Sequence, residues 1–148
     1  GAARPTPRWS PSGRYLAVID FRDFEVNSSL WLIEADRGTV RPLVYNWGPG
    51  SQEAVKYFVW YPTEDRIVFI EGKAFGTVSV GGTLKAVDTA GNVSAIETVP
   101  EQKEIYWEAA GPLRAEGGRL HFRKAVFDSD AMNVTWSELS IPLPDFSE

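Results

Sequence analysis

The chain has no cysteine, one histidine and one methionine in 148 residues. Without thiols there can be no disulfide, no thiolate zinc site and no cysteine nucleophile. The lone histidine, His121, stands mid-strand in Leu120-His121-Phe122-Arg123, and no Gly-x-Ser-x-Gly elbow accompanies it. A serine-hydrolase triad built on that elbow is therefore not expected, and His121 reads as a structural strand residue. No apolar stretch approaches the ~18–20 residues that span a bilayer, so membrane insertion is not expected. Neither a helical periodicity nor a long run of like charge is present. The net charge of −5 speaks against nucleic acid and anionic membrane surfaces, which both demand a basic face. The small residues Gly1-Ala2-Ala3 at the start suit the cut left by a signal peptidase.

What the chain has is aromatic side chains and a repeat. Phe, Tyr and Trp make up 13% of residues, with six Trp, and large rings suit packed sheets. Trp9-Ser10-Pro11-Ser12-Gly13-Arg14-Tyr15-Leu16-Ala17-Val18 is echoed by Trp60-Tyr61-Pro62-Thr63-Glu64-Asp65-Arg66-Ile67-Val68-Phe69. A looser third copy runs through Ile105-Tyr106-Trp107 and Gly117-Gly118-Arg119-Leu120-His121-Phe122. The three tryptophans are 51 and 47 residues apart. A period of this size marks stacked β-units, most often propeller blades.

Strand-forming runs fill each period. They are Arg14 to Phe21, Leu30 to Ile33 and Val40 to Tyr45, then Arg66 to Ile70, Thr83 to Val87 and Val93 to Val99. Ala35-Asp36-Arg37-Gly38 and Asp88-Thr89-Ala90-Gly91-Asn92 read as the turns between them, with glycine supplying positive φ. Leu16-Ala17-Val18-Ile19 and Ile67-Val68-Phe69-Ile70 are apolar throughout, the pattern of strands buried on both faces. Pro11 and Pro62 follow each tryptophan and end its strand, because proline cannot donate to a ladder. Gln52 to Trp60 and Glu101 to Ala110 carry some helix formers but run into β-favouring segments, so their ends are read as strands.

The first copy, with Leu30-Trp31-Leu32-Ile33-Glu34 and Gly38-Thr39-Val40-Arg41-Pro42-Leu43, resembles a TolB-type, WD40-like propeller repeat. The same repeat style occurs in the propellers of prolyl-oligopeptidase-like enzymes. The match is close over about 35 residues of the first copy, moderate from Phe58 to Val99, and poor in the third, where Ala109 to Gly117 adds residues. The motif residues identify blades and carry no ligand. The resemblance implies an all-β, single propeller-like domain over residues 1–148, with four-stranded units at about 4–45, 55–99 and 103–144. It also implies a scaffold for protein contacts outside the cytoplasm, in the bacterial periplasm or cell envelope.

Three blades fall short of the four to eight that close a propeller, and an open stack is expected to leave two large apolar faces wet. A homodimer closing a six-bladed ring answers this. A remodelled third unit, or a longer parent chain, would answer it too. Ile141-Pro142-Leu143-Pro144 makes a poor outer strand for the third unit, and the segment Ala2 to Pro7 of the same or another chain is a candidate to replace it.

The loops joining second to third strands carry the polar candidates. Asp20, Arg22, Asp23 and Glu25 lie in one, Glu71 and Lys73 in the next, and Asp128 and Asp130 in the last. Neither acidic cluster has the spacing of an EF-hand, so no metal and no cofactor is expected. Tyr45-Asn46-Trp47-Gly48-Pro49-Gly50-Ser51 links the first two units on the same rim, and its composition is that of a recognition loop. The expected partner-binding residues are Trp47, Arg22, Asp23, Glu25, Lys73, Asp128 and Asp130, and none is expected to be catalytic. The reading is a non-catalytic binding module that recognises a protein through an acidic, aromatic rim. The alternatives are an accessory propeller segment of a hydrolase and a lectin-like carbohydrate binder.

Overall fold

A computed structural model describes residues 7–20, 27–74, 81–96, 107–127 and 133–146. Every regular element among them is a strand. The first sheet contains β1 (Arg8–Trp9), β2 (Tyr15–Ile19), β3 (Leu30–Glu34) and β4 (Thr39–Val44). The second contains β5 (Glu53–Trp60), β6 (Arg66–Lys73), β7 (Thr83–Asp88) and β8 (Val93–Ala95), and the third β9 (Trp107–Glu116), β10 (Arg119–Phe127) and β11 (Val134–Pro142). In each sheet the strands lie side by side in chain order and pair antiparallel. This is a propeller-type meander, in which each unit folds from consecutive residues.

The expected turns form. Gly38 and Gly91 adopt φ of 66° and 93°, a conformation that costs other residues a Cβ clash. β1 and β5 end at Trp9 and Trp60, before the prolines. The third unit departs from the pattern. Trp107 begins its strand rather than ending it, and the residues inserted after it lengthen β9 to ten. A bulge opposite His121 and Arg123 absorbs the excess. Among the described residues the third sheet has three strands, where the other two have four.

The sheets stack face to face, and alternation along β6 shows how. Ile67 and Phe69 pack with Ala17, Ile19, Leu30, Leu32 and Leu43 of the first sheet. Val68 and Ile70 pack with Ala109, Leu120 and Phe122 of the third. All four β6 side chains are fully buried, which explains why that run lacks polar alternation. Trp60 sits in the first interface, 7% exposed, and its indole N–H donates to the Arg8 carbonyl at 2.9 Å.

The two outer faces of the stack are unlike, which corrects the expectation of two apolar ones. Cross-strand pairing puts Trp9, Leu16, Val18, Trp31, Ile33, Val40 and Pro42 on the outer face of the first sheet. None carries a charge, and Trp9 and Val40 are 57% and 60% exposed. The outer face of the third sheet carries Arg119, His121 and Arg123 from β10 opposite Ser140 and Glu138 from β11. The Arg123 guanidinium lies 4.3 Å from the centre of the Trp136 ring, and Arg119 donates to Ser140 Oγ and O at 3.0 and 3.1 Å. Polar side chains of this kind are what a terminal repeat uses to face water.

Candidate functional site

One end of the stack gathers the ends of β2, β4 and β6 and the starts of β3, β5 and β7. Asp20 and Glu71 stand there 51 residues apart, the spacing of Trp9 and Trp60. Each follows the last apolar residue of the second strand of its unit, and each accepts hydrogen bonds from the third. Asp20 takes the Ser29 backbone N–H at 2.6 Å and the Trp31 indole N–H at 2.7 Å. It also takes the Trp47 indole N–H, which arrives from the loop after β4. Glu71 takes the Lys85 ammonium at 2.7 Å and the Asn46 amide at 3.0 Å. Hydrogen bonds donated to charged acceptors are the stronger kind, so each carboxylate staples a hairpin at the rim.

The two staples differ in surroundings. Glu71 lies in the junction between first and second sheets. Asn46 there also donates its backbone N–H to Ser29 Oγ at 2.7 Å and its amide to the Ser28 carbonyl at 2.9 Å. Ser28 Oγ donates to the Val55 carbonyl at 2.7 Å. This junction is buried and its polar atoms are satisfied, which is the condition for a polar network to be tolerated inside. Asp20 instead holds aromatics at the edge of the bare face. Tyr45 stands edge-on to Trp31, ring centroids 6.3 Å apart and planes at 88°, a favourable quadrupole geometry. Tyr45 is 58% exposed, and Trp31 and Trp47 are half-buried.

At the second junction backbone meets backbone. Gly82 and Ala109 exchange N–H···O bonds of 2.9 and 2.8 Å. A Cβ on Gly81 would fall on the Ala109 carbonyl oxygen, so this junction requires glycine. The Gly81 N–H donates to the buried Glu108 carboxylate at 3.1 Å. Burial holds the nearby Lys56 ammonium below the ordinary lysine value, against the pull of Glu108 and then of Glu53.

Of the residues expected to bind a partner, Trp47 and Lys73 are described. Trp47 turns its indole N–H inward to Asp20 and leaves part of its ring open. Lys73 is exposed on the rim and pairs with Glu53 at 3.6 Å. Arg22, Asp23, Glu25, Asp128 and Asp130 lie outside the described residues. Asp20, expected among solvated rim acids, is instead the centre of the aromatic cluster. His121 lies on the outer face of the third sheet, a ring nitrogen 3.3 Å from the Glu116 carbonyl. Among the described residues no three His, Cys, Asp or Glu side chains form a group that could hold a metal. Tyr45 and Trp31 were missed as site residues. The signal available for them was Asp20, an acid recurring at the tryptophan spacing beside a Trp in the next strand.

The sequence matches no protein-family model and no curated protein. In structure it is similar to a Clostridium novyi NT protein described as a conserved lipoprotein, with a TM-score of 0.76 at 15% identity. That alignment covers 96% of this chain and 91% of the other, so the fold recurs over nearly the whole of both. A TolB from Acinetobacter baumannii aligns with a TM-score of 0.42 at 16% identity, covering 87% of this chain and 30% of that one.

Proposed function

We propose that this chain is a non-catalytic binding module of propeller type that recognises a protein partner through its aromatic, acidic rim. The observation that carries the reading is the cluster of Trp31, Tyr45 and Trp47 around the Asp20 carboxylate. Interface hot spots are enriched in such rings, which bring large contact area at small entropic cost. Fixing them beforehand lowers the cost of binding further. Arg22, Asp23 and Glu25 follow Asp20 in sequence and belong to the same proposed surface. Lys73 extends it along the rim beside Glu53, and Asp128 and Asp130 follow the end of β10.

The proposed location is outside the cytoplasm. The support is the description of the Clostridium novyi protein of the same fold as a lipoprotein.

The test is site-specific photocross-linking from position 45 in cells, with the also exposed position 93 on β8 as control, followed by binding of the purified partner. A discrete polypeptide adduct from position 45 alone supports the reading. So does at least tenfold weaker binding of that polypeptide by Tyr45→Ala and Trp47→Ala. Equal adducts from both positions would overturn it. Quenching of tryptophan emission by glycans but not by the cross-linked polypeptide would also overturn it, in favour of a carbohydrate binder.

A further inference from the structure

The outer face of the first sheet has a counterpart inside the molecule. Trp9, Leu16, Val18 and Ile33 occupy in the first sheet the places that Trp60, Ile67, Phe69 and Val87 occupy in the second, by strand order and register. In the second sheet those four side chains are at most 7% exposed, because the first sheet covers them. In the first sheet Trp9 is 57% exposed, and Leu16, Val18 and Ile33 are half-buried. The face has the composition of a sheet-packing surface, and no described sheet packs on it; Tyr45 stands against Trp31 at its rim end.

We infer that this face binds the same face of a second copy, giving a two-fold dimer by sheet-on-sheet packing. Area supports the inference. Three strands of five or six residues and the two-residue β1, about 4.8 Å apart, give roughly 300 Å² of plane, on the order of 500 Å² of accessible surface with side-chain relief. Two such faces bury about 1,000 Å², the lower bound for a specific interface. Polarity then selects the partner face. Closing a six-bladed ring would set this apolar face on the outer face of the third sheet and bury Arg119, His121, Arg123 and Glu138 against hydrocarbon. Desolvating that row of charges opposes the arrangement, although Arg119 and Arg123 keep partners within their own sheet. The apolar face meeting its own copy leaves no charge unpaired, and a two-fold interface is self-complementary by construction. The face shares Trp31 with the rim cluster, and the inference rests on its other members, whereas the rim reading turns on Tyr45 and Trp47.

The test is light-scattering mass across a dilution series on the parent chain and four variants. The expected result is a species of twice 16.5 kDa. Ile33→Glu and Val40→Glu should each weaken it by about 100-fold or more, while Trp136→Glu on the third sheet should leave it unchanged. Val40 lies on the exposed outer strand, so its variant carries the test if Ile33→Glu fails to melt cooperatively. A chain that stays monomeric at every concentration overturns the inference. A dimer indifferent to both glutamates overturns it, and so does one lost equally with Trp136→Glu, which would indicate the ring. Trp47→Ala should leave the mass unchanged, so a failure of the rim reading and a failure of this one are distinguishable.

Discussion

The first and second sheets share strand order, turn glycines and an acid at the end of the second strand, yet they differ in what surrounds them. The second is covered on both faces, and β6 is buried along nearly its whole length. The first is covered on one face only, and its β2 alternates between buried and half-buried residues. The same position therefore holds a fully buried Phe69 in one sheet and a half-buried Val18 in the other. The carboxylates follow suit. Glu71 closes a buried junction with a cation and an amide, while Asp20 anchors rings that reach solvent. Repetition of backbone geometry fixes where a group stands, and the neighbouring sheet decides what that group does.

The contrast is tested most strongly at Phe69. Phe69→Ala should destabilise by about 3–5 kcal/mol, the cost of a large cavity in a closed core. Val18→Ala, its counterpart, should cost less than about 1 kcal/mol in the monomer, because water already reaches that face. Chemical denaturation of both variants measures the gap, and equal losses would mean the first sheet's outer face is covered in solution. Glu71→Ala comes next. It leaves Lys85 and Asn46 without their acceptor inside a junction, and about 2–3 kcal/mol should be lost.

Asp20→Ala should cost less, about 1–2 kcal/mol, since water can replace the carboxylate at its more open site. Its clearer signature is spectroscopic. Released from Asp20, Trp31 and Trp47 should show red-shifted, more readily quenched emission, whereas Glu71→Ala should leave emission near that of the parent. A small effect is expected at the other end of the stack. Tyr61 donates its phenol O–H to the Pro144 carbonyl at 2.7 Å. Burial first, then the Glu64 carboxylate, pushes its pKa up to about 12. A folded-state value above the ordinary one means that the neutral phenol stabilises the fold. That contribution is complete below about pH 10 and is lost as pH rises toward 12. Tyr61→Phe should flatten the alkaline limb of the stability profile while costing about 1 kcal/mol at neutral pH. An unchanged alkaline limb would place the loss elsewhere.

Much of the architecture was readable in the sequence, because local rules decide it. Tryptophan followed by proline ended β1 and β5, glycine placed the hairpins at Gly38 and Gly91, and the all-apolar run of β6 announced a doubly covered strand. In the third unit the sequence shows a poor copy with residues added from Ala109 to Gly117, but not that those residues extend one strand. Trp107 starts β9, and the bulge opposite His121 and Arg123 lets ten residues occupy one strand. A bulge leaves no fixed sequence mark. The outer faces were misjudged for a different reason. Apolar alternation told that a face could be buried, but the Arg119, His121 and Arg123 row on β10 becomes visible as a single surface only when register with β11 is known. At the rim, Trp47 and the acids were picked by composition. The Asp20 cluster depends on a long-range bond between a loop and a strand end, and pattern alone does not encode it.

One feature of the strand order bears on how the chain reaches this state. Every ladder joins strands that are neighbours in sequence, so each sheet is complete once its own contiguous stretch has been released. The links that wait for the next unit run across the whole interface, from Ser28 to Val55 and Gly82 to Ala109 at one end of the stack to Arg8 with Trp60 and Tyr61 with Pro144 at the other. Such a topology closes short loops before long ones and suits assembly from the first unit onward as the polypeptide emerges. The first sheet would then offer its inner face as the template on which the second is laid, and the second would serve the third. The bare outer face of the first sheet is, in this sequence of events, the earliest formed apolar surface and the longest exposed.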